Sequence, residues 1–310
     1  MHKRLTLLAL LAILLPGAAW AQSNPLWREE KVQNYLPHMT WPEVRDLLTR
    51  TDMVLVPVPS LEQHGLHTPI GTDFFAGVEQ AKLIAQRTDI LVAPILLVGQ
   101  APYHMEFPGT IALSAETIQQ VYFEAAQSLI RHGFRRFVFF NSHVGNQHIT
   151  RFVVDRINQE TSAIAVDLSD GVATMATPTT TSGEQVAPQP FDRHGGVAET
   201  SSALYLFPSL VALEKAERPT LTLTPSLNQM LPQVKAGDPT ASLVFLAEGL
   251  KPKETGKGSS ASETSTTGVW SERDPREATA EEGRRSTEAF IDTAVRFIER
   301  WKQLRPPQPR

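Results

Sequence analysis

Between residues 40 and 168, short apolar runs alternate with stretches of helical period, and this order constrains the fold more than any other feature of the chain. Met53–Val58, Ile90–Val98, Phe137–Phe140 and Ala163–Leu168 read as buried strands, being continuously apolar and rich in β-branched or aromatic residues. Between them, Asp73–Gln86 places Phe74, Val78, Ala81, Leu83 and Ile84 on one helical face. Ala115–His132 is a second amphipathic helix, capped by Ser114 and ended by Gly133. A third runs from the Asn141–Asn146 segment to about Gln159, and a short one opens at Thr40-Trp41-Pro42-Glu43 and continues to about Arg50. Strands separated by helices and joined by short connections predict an α/β fold, with a largely parallel sheet covered on both faces. In such sheets, sites gather beyond the carboxyl ends of the strands.

The ends of the chain are of another kind. His2, Lys3 and Arg4 precede an apolar run, Leu5–Leu15, and Ala19-Trp20-Ala21 is a small-x-small cleavage site. Residues 1–21 therefore read as a secretory signal, leaving residues 22–310 as a single exported domain in the periplasm or outside the cell, with no membrane partner after cleavage. The chain has 310 residues and no cysteine, so a hydrophobic core rather than a disulfide framework must hold it. A net charge of -4, spread along the chain, gives no reason to expect nucleic acid as a partner. Gln22–Pro37 reads as an irregular arm, Ala173–Pro190 as a long loop, Lys251–Gly268 as a mobile low-complexity stretch, and Pro275–Trp301 as a closing helix. The tail from Pro306 to Arg310 reads as disordered.

The chemistry is concentrated in Ser60-Leu61-Glu62-Gln63-His64-Gly65-Leu66-His67-Thr68-Pro69-Ile70-Gly71-Thr72-Asp73, directly after the first strand. Glu62 and His64 are two apart, so an extended backbone sends both side chains to one face. Gly65 and the Pro69–Gly71 turn can bring Asp73 back towards them. A carboxylate, an imidazole and a second carboxylate outline a divalent-metal site, while the same residues also suit a polar loop with Asp73 capping a helix. Two further segments carry ligand-type residues at a strand end or helix start: His143, and His194 with Glu199. His104 and Glu106, in a turn-rich loop, and His67 are candidates for lining the pocket or orienting a ligand. His132 and His148 read as helix-surface residues.

Taken together, these stretches resemble the creatininase family of creatinine amidohydrolase-like enzymes. The resemblance rests on SLEQHGLHTPIGTD (60–73), EFPGTIALSAET (106–117), NSHVGN (141–146), HGGVAETS (194–201) and TTGVWSERDPREATAEEGRR (266–285), in the family's order. It implies a three-layer α/β/α sandwich and two divalent metals per chain, zinc or manganese with iron possible, that activate water against an amide C–N bond. It also implies assembly into a homo-oligomer, a hexamer. Carried over residue by residue, Glu62, His64, Asp73 and His143 match metal ligands, with Asp73 as the bridge. Glu199 matches the glutamate of the family's H-A-G-x-x-E-T-S motif and is assigned as the remaining carboxylate, and His194 matches a residue implicated in proton transfer.

Several positions depart from the family pattern. Pro59 replaces a usual glycine, and Ser142 and Val144 replace the glycines of N-G-H-G-G-N. Gly145 stands where creatininase proper has a ligating glutamate, and Val197 where many members are acidic. The Ala173–Arg193 segment has no tryptophan to close over a flat substrate. The expected activity is thus amide hydrolysis of a small molecule or short peptide, with a non-catalytic small-molecule binder carrying an incomplete metal centre as the alternative.

Overall fold

The computed structural model describes residues 30–96, 98–175, 189–250 and 260–306. Residues 1–29, which include the expected secretory signal and the start of the arm expected over 22–37, most of the 173–190 loop (176–188), the first part of the second low-complexity stretch (251–259), Leu97 and the tail 307–310 lie outside the described residues. One compact unit spans Val32–Arg310.

Its elements in chain order are α1 (Trp41–Leu47), β1 (Met53–Val58), α2 (Thr72–Thr88), β2 (Leu91–Val92), α3 (Ala115–His132), β3 (Arg136–Asn141), α4 (Gln147–Glu160), β4 (Ile164–Asp167) and α5 (Leu168–Met175). These are followed by α6 (Val197–Leu206), α7 (Pro225–Lys235), α8 (Pro239–Gly249), α9 (Ser260–Thr264) and α10 (Ala280–Leu304). The four strands form one sheet in the order β2-β1-β3-β4, and every pairing is parallel. This is the arrangement expected from helices inserted between strands.

Alternate side chains of β1 and β3 feed two cores. Val54, Val56, Phe137 and Phe139 pack under Ile118 and Tyr122 of α3 and Ile149 and Val153 of α4. Met53, Leu55, Val138 and Phe140 face Ala81 and Ile84 of α2 and Ile291, Ala294 and Ile298 of α10. The result is three layers, helix on sheet on helix. At the amino end of the sheet, the fully buried Arg136 donates from Nε to Asp52 (2.6 Å) and from Nη1 to the Arg305 carbonyl (2.7 Å), pinning the end of α10.

Three expectations need correction. The apolar run 90–98 is a strand only at Leu91–Val92. Ala93 still donates to Leu55 O, but Pro94 has no N–H to continue the ladder. The closing helix does not begin at Pro275: a 3-10 turn, Pro275–Glu277, comes first, and Thr279 then caps α10 by accepting from Glu282 N (3.2 Å). The loop expected from Ala173 begins inside α5.

Two helices assigned no role in the sequence, α7 and α8, pack on Phe191 and Trp270 as a third, smaller core with Leu227, Val234 and Phe245. Residues 260–268 belong to this layer, with Ala261, Thr264, Ser265 and Thr267 buried. Two glycines set the closeness of packing. A Cβ on Gly249 would lie 2.2 Å from the Trp270 ring, and one on Gly283 of α10 would lie 1.9 Å from the Ser201 carbonyl of α6.

Candidate metal centre

Beyond the carboxyl ends of β1 and β3, three separated segments meet. The chain leaves β1 through Pro59 and Ser60, and Glu62 N then donates to Ile70 O (3.0 Å), closing the 62–70 loop. That closure sets Asp73, in the first turn of α2, opposite Glu62 and His64. His143 follows β3, and Glu199 sits in the first turn of α6.

The Asp73 carboxylate lies at the centre. Its Oδ2 is 3.1 Å from His143 Nδ1, and its Oδ1 is 3.2 Å from His64 Nε2. Glu62 Oε1 completes the first group at 3.2 Å from His143 Nδ1. Glu199 Oε2 approaches the second at 3.7 Å from His64 Nε2. Ser60 Oγ donates to Asp73 Oδ2 (2.9 Å), and Ser142 Oγ donates to the Asp73 carbonyl (3.0 Å), so both the carboxylate and the backbone that carries it are held.

The two histidine rings of the cluster are aimed by the hydrogen bonds behind them. His64 Nδ1 faces the Glu62 carbonyl (3.1 Å), so its proton sits there and the Nε2 lone pair points at Asp73. His143 Nε2 faces the Gln100 carbonyl (3.1 Å) and the Tyr103 hydroxyl (3.0 Å), leaving the Nδ1 lone pair towards the two carboxylates. Lone pairs thus converge on lone pairs. His64 Nε2 and Glu62 Oε2 are buried with no hydrogen-bond partner. Such orphaned acceptors need a cation, and the mixed nitrogen and oxygen donors suit zinc, manganese or iron.

The electrostatics agree. Burial alone would lower the His64 pKa, but Asp73, Glu199 and Glu62 lift it to about 10. Burial likewise opposes charge on His143, and Glu62 and Asp73 override it, raising its pKa well above the usual value. Against its own burial, the Asp73 carboxyl is held well below the carboxylate range by His64 and His143. Without a metal, protons take the place of the cation. Burial pushes His194 down to about 4, helped by the neighbouring His64, and pushes His104 well below its usual value. Burial and the Glu62 and Asp73 charges push the Tyr103 phenol up, so it remains neutral.

Of the other sequence candidates, His194 lies in the cluster, its Nδ1 3.5 Å from Glu62 Oε1. So does His104, with Nε2 3.6 Å from the same oxygen. His67 is buried one step behind. Its Nε2 meets Thr200 Oγ1 at 2.8 Å, and it supports the turn that carries Glu199. Glu106 does not line the pocket: it is exposed and accepts from Ser262 Oγ, because Met105 turns the backbone outward after His104. His132 and His148 are exposed on helices.

The structure adds residues that no pattern in the chain singles out. Gln63 and Tyr103 bond to the site histidines, and Leu246, Leu250 and Trp270 roof a chamber of about 260 Å³ above the cluster. Gln63 and Tyr103 each adjoin a flagged histidine, which was the available signal. The roof had none, since α8 is apolar on several faces. The space at Gly145 explains its departure. A Cβ there would lie 2.3 Å from the Tyr103 hydroxyl and 2.5 Å from both Gln100 O and His143 Nε2. No carboxylate fits where Tyr103 and Gln100 hold the back of His143.

The sequence matches the Creatininase family model, described as creatinine amidohydrolase, over residues 37–298. The chain belongs to the creatininase family. The creatinine amidohydrolase of Pseudomonas putida is 30% identical over 213 residues, 62% of this chain and 79% of that protein. A mycofactocin precursor peptide peptidase of Mycobacterium tuberculosis (strain CDC 1551 / Oshkosh) is 29% identical over 266 residues, 83% of this chain and 86% of the relative. A crystal structure of creatininase superposes with a TM-score of 0.61 at 23% identity, covering 89% of this chain and 99% of that one. Further creatininase structures in a Zn-Zn form and a Mn form give TM-scores of 0.60 and 0.59. The named relatives are hydrolases, creatininase structures carry zinc or manganese, and this chain gathers histidine and carboxylate groups that could hold a metal ion.

Proposed function

We propose that this protein is an exported, two-metal amidohydrolase of the creatininase family that hydrolyses the C–N bond of a small amide, cyclic amide or short peptide. The observation that carries the reading is the Asp73 carboxylate, whose two oxygens face two different histidines among buried acceptors that lack partners. Glu62, His143 and Asp73 Oδ2 would hold one ion; His64, Glu199 and Asp73 Oδ1 would hold the other. When bound, divalent ions supply Lewis acidity, which acidifies water towards neutral pH and polarises a carbonyl.

The chain's own residues do the rest. Asp73 is fixed by Ser60 and Ser142 and keeps the two groups in register. His194 stays neutral beside Glu62 and presents Nδ1, which can take a proton and return it to the leaving nitrogen. Tyr103 holds the His143 ring by its hydroxyl. Trp270, Leu246 and Leu250 cover the chamber and limit water around the scissile bond. The chamber's size suits a small molecule or the end of a peptide rather than a folded protein.

The test is metal content, measured by plasma mass spectrometry on protein purified without chelator, with hydrolysis assayed against lactams, formamides and short peptides. About two equivalents per chain and turnover of at least one class are expected. Bound metal without turnover across the panel would leave the non-catalytic binder instead. Export is tested separately: the mature protein is expected to begin at Gln22 when its amino terminus is sequenced.

A further inference from the structure

Gln63 lies between two proposed ligands yet points away from them, into a closed set of hydrogen bonds. Its Oε1 accepts from Gly65 N (2.8 Å), which fixes the amide's orientation, because the reverse would set an NH2 against an N–H. Its Nε2 then has two hydrogens and three neighbours: Gly268 O (3.0 Å), His104 Nδ1 (3.0 Å) and His194 Nε2 (3.1 Å). The main-chain carbonyl of the same Gln63 lies 2.6 Å from His194 Nε2. A carbonyl only accepts, so His194 Nε2 carries a proton and donates it there. This removes His194 from the list of acceptors and leaves Gly268 O and His104 Nδ1 for the two amide hydrogens. Donors and acceptors then match. With the opposite tautomer of His194, a lone pair would face the carbonyl at 2.6 Å, and three acceptors would compete for two hydrogens.

We propose that Gln63 is a positioning residue that sets both rings as Nε2–H tautomers turned opposite ways, so that His194 offers a lone pair and His104 an N–H to the chamber beside Glu62. The rings stack at 4.2 Å, so both edges reach the same small volume. His194 Nδ1 and His104 Nε2 lie 3.5 and 3.6 Å from Glu62 Oε1. Glu62, His104 and His194 could by proximity alone be counted as a third metal group. The tautomers make them something else: a hydrogen-bond donor and a proton acceptor side by side. A substrate with a carbonyl oxygen next to a nitrogen that gains or loses a proton matches this pair, which is the pattern of an amide. The inference rests on the proposed function for the use of the pair, and on geometry alone for the tautomers.

The experiment is magic-angle-spinning NMR of the full-length mature protein, labelled with 15N at histidine and loaded with zinc. In the unaltered protein, both His104 and His194 are expected to show a protonated Nε2 and a bare Nδ1. In Gln63→Glu, a carboxylate oxygen replaces the amide donor, and His104 Nδ1 is expected to acquire a proton. In Gln63→Met, which keeps length and loses all three side-chain bonds, the His104 signals are expected to move towards a mixture of tautomers. Metal content should stay at the unaltered level in both, while kcat/KM falls by on the order of 10²-fold. A protonated His104 Nδ1 in the unaltered protein, or His104 signals unmoved in whichever variant folds, overturns the proposal. Failure to find any amide substrate would sink the proposed function and leave the tautomer measurement intact.

Discussion

The two halves of the cluster are built to different standards. Glu62 and His143 come from loops that leave the adjacent central strands β1 and β3, Asp73 from the first turn of α2, and the Glu62 and His143 side chains are 1% and 4% exposed. In the other half, His64 is equally enclosed, but Glu199 comes from α6, outside the sheet, and its side chain is 43% exposed. The enclosed half shares its support with the core, whereas the open half depends on how α6 is held. The difference teaches that one half of the cluster is part of the fold and the other is docked onto it.

Asp73→Ala should have the largest effect, because it removes the group common to both halves. Metal content is expected to fall from about two equivalents to none, with activity falling to that of the metal-free protein. Retention of one full equivalent would show that the halves are independent. Glu199→Gln should separate them, losing one equivalent and keeping the other, as read by metal analysis after dialysis. Loss of both would erase the distinction. Ser60→Ala leaves every ligand in place and removes the bond to Asp73 Oδ2, so metal affinity should weaken roughly 10- to 100-fold in competition with a chelating dye.

Gly145→Ala forces a Cβ against Tyr103, Gln100 and His143, and should cost about 1–3 kcal/mol in denaturant unfolding while disturbing the enclosed half first. The smallest effect expected is a pH drift of the metal-free protein. The His64 pKa is raised in the folded state to about 10, so its contribution to stability is complete below its ordinary value and is lost as pH rises through about 10. Thermal unfolding of chelator-treated protein should therefore fall across that window. Zinc-loaded protein, with the cation in place of the proton, should not follow it.

The sheet and the enclosed half could be read from sequence because their signals are local. Apolar runs marked β1 and β3, Glu62 and His143 follow them within a few residues, and Asp73 opens the helical pattern that comes next. Residues 90–98 misled, since hydrophobicity reports burial and Pro94 decides hydrogen bonding. Glu106 misled because adjacency to His104 does not survive a turn. The roof was missed for a different reason: Trp270, Phe245 and Phe191 find each other across some 80 residues of chain, and their bearing on the site appears only when the third core is assembled. Gln63 carried a signal, its place between Glu62 and His64, but its role depends on a backbone carbonyl and on Gly268, neither of which a residue pattern displays.

Gly283 has a consequence in time. It lets α10 lie against the Ser201 carbonyl of α6, and Thr279 N donates to Ser201 Oγ nearby (3.1 Å). The helix that carries Glu199 is therefore braced by residues made among the last thirty or so of the chain. A nascent polypeptide emerging in order has β1, β3 and the enclosed ligands long before it has that brace. The enclosed half can take shape early, and the half around Glu199 is completed only once those last residues are in place.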